Sequence, residues 1–202
     1  MALFAPRHSL STGDSAPGFE LPDQDERIHR LEDYRDDWLV LFFYPRDMTA
    51  GCTREVCEFR DNYDYFLMTN IRLLGISTDS PQKHRQFRSQ HGLGFPLLSD
   101  SSGEVALAYG SLLHIGPFRQ ARRHSFIIDP DGVIQGYEVL TPPVGRNVGE
   151  TFRQVQAFQL VRESKGKEAT PSGWKPGKVT LKPGPDLVGK VWEAWKTEMA
   201  FD

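Results

Sequence analysis

Trp38-Leu39-Val40-Leu41-Phe42-Phe43-Tyr44-Pro45 is an unbroken apolar run closed by a proline. With no polar alternation, such a run reads as a strand buried on both faces, as in the middle of a layered α/β sheet. Working outward, Thr49 to Phe66 carries apolar residues at Val56, Phe59, Tyr63 and Phe66, a helical spacing. Ile71 to Ser77 is a second buried strand. Ser80-Pro81 supplies a cap residue followed by proline at the first helical position, and opens a helix that runs to Gly92. Phe95 to Leu98 and Gly103 to Tyr109 read as a further strand and helix. His124 to Ile128 and Val133 to Val139 are two strands joined by Asp129-Pro130-Asp131-Gly132, a turn sequence that predicts a hairpin. Asn147-Val148-Gly149-Glu150 resembles a capping box at the start of a helix with apolar Phe152, Val155, Phe158 and Leu160.

The succession β-α-β-α-β-α-β-β-α starts with parallel crossovers and finishes with a hairpin and a helix. That is the layout of an α/β, thioredoxin-like three-layer sandwich. Past about Lys165 the composition turns to Lys, Pro and Gly and ends in Trp192 and Trp195. The expected division is a domain over residues 1–165 and a C-terminal extension arm over 166–202. An arm of this composition buries little of its own apolar surface, so it is expected to pack on the domain or on a partner subunit.

A chain of 202 residues is long enough for one substantial core. A net charge of −3 gives no long-range pull towards nucleic acid or an anionic membrane. No apolar run approaches the roughly 20 residues needed to cross a bilayer, and Met1 to Leu10 has no signal-peptide pattern. Two cysteines five apart cannot form a secreted disulfide framework. The expectation is a soluble cytoplasmic protein whose thiols do chemistry.

Those two cysteines stand in Tyr44-Pro45-Arg46-Asp47-Met48-Thr49-Ala50-Gly51-Cys52-Thr53-Arg54-Glu55-Val56-Cys57. Cys52 falls after a strand and at the start of a helix, where unpaired backbone N–H groups favour a thiolate. A buried cysteine is more commonly an inert apolar filler. The residues around this one give it chemistry to do.

Pro45-x-x-x-Thr49-x-x-Cys52 resembles the active-site signature of the peroxiredoxins, thiol peroxidases on a thioredoxin-like fold. Arg123, in Arg123-His124-Ser125-Phe126-Ile127-Ile128-Asp129, matches that family's active-site arginine, and Glu55 matches a glutamate three residues past the peroxidatic cysteine. The similarity runs from about Ser9 to Lys182. Cys57 stands five residues after Cys52, as the resolving cysteine does in the bacterioferritin-comigratory (Q-type) members. Gly145-Arg146-Asn147, Val155-Gln156-Ala157-Phe158 and Ala169-Thr170-Pro171-Ser172-Gly173-Trp174-Lys175-Pro176-Gly177 look instead like the longer 1-Cys and typical 2-Cys members. Thr170 stands where a typical 2-Cys member has its second cysteine.

The resemblance implies reduction of hydrogen peroxide and organic hydroperoxides by Cys52, with no metal or organic cofactor. Arg123 would stabilise the thiolate and the developing charge on the peroxide, and Thr49 would align the peroxide with the sulfur. Pro45, with no N–H and a fixed φ, would shape the loop, and Glu55 would orient an arginine. Cys57 is open between two roles, a resolving thiol recycled by a thioredoxin-like donor and a packed thiol. In the second case a low-molecular-weight thiol reduces Cys52 directly. On a regular helix, residues five apart lie about 140° round and about 8–9 Å apart, beyond the reach of a disulfide at about 7 Å. A Cys52–Cys57 bridge therefore requires the first turns of the helix to unwind.

Two other function classes stand beside this one. A thiol–disulfide oxidoreductase usually carries C-x-x-C, which this chain lacks, and a redox-controlled chaperone or sensor is permitted by the resemblance alone. The partners expected are peroxides, a thiol reductant and a second copy in a homodimer, with a decameric ring open. His84 and His91 read as helix surface, Trp174 and Trp192 as arm anchors, and Asp129 to Gly132 as a turn rather than a calcium loop.

Overall fold

The structure is a computed structural model and describes residues 10–115, 118–141 and 144–196. The N-terminal stretch considered above lies outside them as far as Ser9. Two compact units are present, Met1–Val148 and Gly149–Asp202.

The first unit opens with a short hairpin, β1 (Glu20–Pro22) and β2 (Ile28–Arg30), and a 3-10 turn over Leu31–Tyr34. Next come β3 (Trp38–Phe43), α1 (Ala50–Asp61), α2 (Tyr63–Met68), β4 (Ile71–Ser77), α3 (Pro81–His91), β5 (Leu97–Ser99) and α4 (Glu104–Ala108). A second hairpin, β6 (Leu112–Ile115) and β7 (Phe118–Ala121), precedes the pair β8 (Arg123–Ile128) and β9 (Ile134–Leu140). The central sheet has the order β5-β4-β3-β8-β9. β3, β4 and β5 are parallel, and β8 and β9 are antiparallel to their neighbours. A mixed α/β fold with a central sheet is what the sequence pattern indicates.

β3 is buried at all six positions because helices cover both sheet faces. Leu39, Leu41 and Phe43 join Leu74, Ile76, Leu98, Phe126 and Ile128 in one cluster, capped by Ala106 and Tyr109 from α4 and the residue after it. The intervening Phe42 points to the other face and stacks on Phe59 of α1 at 4.4 Å between centroids. Each such ring, fully buried, contributes about 1.5–3 kcal/mol relative to exposure. Gly75, opposite Phe42, has no room for a side chain. A Cβ there would lie 2.9 Å from both Leu97 Cδ2 and the Phe42 ring.

The helix expected over Thr49 to Phe66 is two helices broken at Asn62, which has φ −108° and ψ 4°. The Asn62 amide donates to the Glu58 carbonyl at 2.8 Å and so competes with helix continuation. The turn between β8 and β9 closes by Gly132 N–H donating to the Asp129 carbonyl, with Gly132 at φ +80°. The two short hairpins, β1–β2 and β6–β7, were not foreseen.

The second unit contains α5 (Val148–Glu163), whose first residue belongs to the unit before it, a 3-10 turn over Pro185–Leu187, and α6 (Val191–Ala194). Ala169 and Leu181 exchange both backbone hydrogen bonds and fold the segment on itself. Trp174 is buried, with its indole N–H on the Lys178 carbonyl at 3.0 Å, and Trp192 is exposed. No helix among the described residues is long and apolar enough to cross a membrane.

Candidate active site

Parallel strands aim their carboxyl ends at the loops that carry chemistry, and β3 delivers the chain to Pro45 at such an end. Thr49 caps α1 in an extended conformation (φ −81°, ψ 144°), so the third helical residue is Cys52. The first amides of a helix lack intrahelical acceptors and carry partial positive charge. Cys52 itself is buried at 2% exposure.

β8 brings the cation. Side chains alternate along a strand, so with Phe126 in the α4-side cluster Arg123 faces α1. Its Nη2 donates to Cys52 Sγ at 3.6 Å, and its Nη1 is ion-paired with Glu55 Oε2. Glu55 lies one turn past Cys52 on α1 and is also buried. Its other oxygen, Oε1, is ion-paired with Nη1 of Arg146, whose side chain has no exposed surface. Arg146 Nη2 donates to the carbonyls of His124 (2.9 Å) and Phe43 (3.2 Å), and its guanidinium sits 5.6 Å over the Phe42 ring. The cluster thus joins two guanidinium groups through the Glu55 carboxylate, and Arg146 Nε has a second, more exposed carboxylate, Glu138, at 3.8 Å.

Cys52, Glu55 and Arg123 are therefore brought into contact. Thr49 and Pro45 stand in the loop leading to them. The Thr49 hydroxyl donates to the Arg46 carbonyl at 3.1 Å, which leaves its oxygen lone pairs available as acceptors. Pro45 is half-buried. Cys57 is partly exposed five residues along the same helix, and both cysteines are free.

Arg146 was missed as a site residue. Its sequence neighbourhood carries only a family pattern, and nothing local shows that it reaches Glu55. His84 was expected on a helix surface and is completely buried. Its Nδ1 lies 2.8 Å from Asp47 Oδ2 and its Nε2 lies 3.2 Å from the Leu98 carbonyl. The polar partner on the active-site loop is what makes burial of that ring tolerable. Tyr44 donates its hydroxyl to Asp47 Oδ1 at 2.8 Å. Burial, then the Asp47 carboxylate beside it, pushes the Tyr44 phenol well above its ordinary range, so it stays a donor.

On the opposite face of β8, His124 shares a hydrogen bond with the Ser111 hydroxyl at 2.9 Å. Burial, helped by the nearby Arg122 charge, lowers its pKa to about 4. Among the described residues no cluster of three His, Cys, Asp or Glu side chains could hold a metal ion.

The AhpC/TSA family matches residues 12–137, and the C-terminal domain of 1-Cys peroxiredoxin matches residues 157–197. The chain is 45% identical to the selenocysteine-containing peroxiredoxin PrxU of Peptoclostridium acidaminophilum, over 96% of this chain and 99% of that protein. Among solved structures, reduced 2-Cys peroxiredoxin of Plasmodium vivax superposes with a TM-score of 0.78 at 27% identity, covering 87% of this chain and 94% of that one. A yeast mitochondrial 1-Cys peroxiredoxin, described with a thiol resolving mechanism via glutathione/thioredoxin systems, gives 0.78 at 26% identity and 92% of each chain.

Proposed function

The chain belongs to the AhpC/TSA family of peroxiredoxins and is a thiol-dependent peroxidase, and from that premise we propose that Cys52 is its peroxidatic sulfur and Cys57 its resolving thiol. The observation that carries the first assignment is the Arg123 guanidinium on Cys52 Sγ, held in place by Glu55.

The Cys52 thiolate attacks one peroxide oxygen, the O–O bond breaks, and the other oxygen leaves as hydroxide or alkoxide and takes up a proton. The sulfur becomes a sulfenic acid. Arg123 stabilises the thiolate before attack and the negative oxygen during it. Thr49 accepts from the protonated peroxide oxygen and aligns it. Glu55 acts through Arg123 and Arg146 as a positioning residue, and Pro45 shapes the loop without offering a donor. Cys57 then attacks the Cys52 sulfenic sulfur and expels water to form an intramolecular disulfide, after local unwinding of α1. A thioredoxin-like dithiol returns both thiols.

The C-x₄-C spacing supports this Q-type route, while Thr170 and the 1-Cys-like C-terminal match favour the alternative in which an external thiol reduces Cys52 directly. We place the enzyme in the reducing cytoplasm as a homodimer, with ring assembly open. The exposed Tyr137 and Val139 on edge strand β9 support pairing with a second copy. The 166–202 arm would clasp that copy or fold onto its own domain.

The test is single-turnover oxidation with a sulfenic-acid trap. Cys52→Ser is expected to consume no peroxide. Cys57→Ser is expected to consume one equivalent and to carry the trap on Cys52. Trapping on Cys57 in the wild type would overturn the assignment.

A further inference from the structure

The loop before α1 is held by a second buried polar cluster that the chemistry above does not use. Asp47 is its centre. Besides Tyr44 and His84, its backbone N–H donates to Asp79 Oδ2 at 2.9 Å. That oxygen also accepts from the Ser77 hydroxyl at 3.0 Å, and Lys83 Nζ lies 3.3 Å from the other oxygen of Asp79. The loop is thereby tied to the end of β3, to the segment after β4 and to α3.

His84 Nδ1 lies 2.8 Å from Asp47 Oδ2 and its Nε2 faces the Leu98 carbonyl, so both side chains are hydrogen-bonded where they are buried, at 0% and 3% side-chain exposure.

Support ends one residue later. Met48 is a non-glycine residue at φ +59°, and Met48, Thr49, Ala50 and Gly51 are all exposed. The bond from Thr49 to the Arg46 carbonyl stays within the loop, and the next side-chain tie to another element is Cys52 itself, on Arg123. The segment that must unwind for Cys52 to meet Cys57 thus starts where the clamp stops.

We propose that the Tyr44–Asp47–His84 clamp is a positioning device that fixes a hinge at Met48. It sets the balance between the folded geometry that meets peroxide and the unwound geometry that lets Cys57 reach Cys52. The second half of this statement rests on the resolving role of Cys57. Weakening the clamp releases residues 48–56, which slows oxidation of Cys52 and speeds ring closure.

The experiment resolves the two steps by stopped flow in wild type, Tyr44→Phe and His84→Asn, with amide exchange on the reduced proteins. Tyr44→Phe removes one hydrogen bond and leaves the ring packed, so it folds even if His84→Asn does not. One buried hydrogen bond corresponds to about a fivefold change in an equilibrium. Tyr44→Phe is therefore expected to raise exchange over residues 48–56 about fivefold, with β4 unchanged. The ratio of ring-closure rate to oxidation rate should rise by at least about that factor. Unchanged exchange over 48–56, or both rates falling together, would overturn the clamp. A wild type that is oxidised but never closes a disulfide would overturn the resolving role alone, and exchange would still decide the clamp.

Discussion

Arg123 Nη2 stands 3.6 Å from Cys52 Sγ, and the opposite nitrogen of the same guanidinium is occupied by Glu55. The fork is therefore fixed before any peroxide arrives, and no reorganisation accompanies the charge that develops on the leaving oxygen. Arg123→Gln loses the charge and shortens the side chain. The second-order rate constant with hydrogen peroxide is expected to fall about 10²–10³-fold, the scale of removing one preorganised donor. Stopped-flow oxidation of Cys52 measures it, and a loss under tenfold would remove Arg123 from the chemistry.

Glu55 is a buried anion between two buried cations. Glu55→Gln removes the carboxylate that Arg123 and Arg146 share, and breaking such a pair from one side costs about 3–5 kcal/mol. Urea unfolding of the reduced protein reads the loss directly. The peroxide rate should fall as well, since Arg123 loses its restraint.

Much of this was legible from short-range pattern. Trp38 to Tyr44 and Ile71 to Ser77 announce buried strands because both sheet faces are covered, and Asp129 to Gly132 announces its turn by composition. Cys52, Thr49 and Glu55 share one local segment, and Arg123 followed from its place in a matched pattern. The break at Asn62 was hidden because Val56, Phe59 and Phe66 keep an apolar helical spacing through it. Arg146 and His84 were not legible as functional or buried, since the groups that hold them, Glu55 and Asp47, lie far along the chain and meet them only once the sheet has formed.

His124 gives the fold an acid-side liability. Its ordinary pKa of 6.5 is lowered to about 4 in the folded protein. Between those values the unfolded chain binds more protons, so stability is fully present above about pH 6.5 and is lost as pH falls towards 4. His124→Gln should flatten the stability profile in that window by up to about one proton of slope. An unchanged slope between pH 6.5 and 4 would mean that other groups set it.

Gly75 tests the sheet packing that carries β3 to the site. In Gly75→Ala the new methyl meets Leu97 and Phe42 at 2.9 Å, and overpacking of this kind costs about 1–3 kcal/mol. Thermal unfolding should show a lower midpoint, with Cys52 still reactive to peroxide.

The most direct measurement is the intact mass, without reductant, of the reduced protein after one equivalent of hydrogen peroxide. The expected result is a monomer lighter by two hydrogens, a change abolished in both Cys52→Ser and Cys57→Ser, which establishes the intramolecular disulfide. A monomer heavier by one oxygen, with no disulfide in the wild type, would contradict the resolving role and leave Cys57 as a packed thiol beside a 1-Cys enzyme.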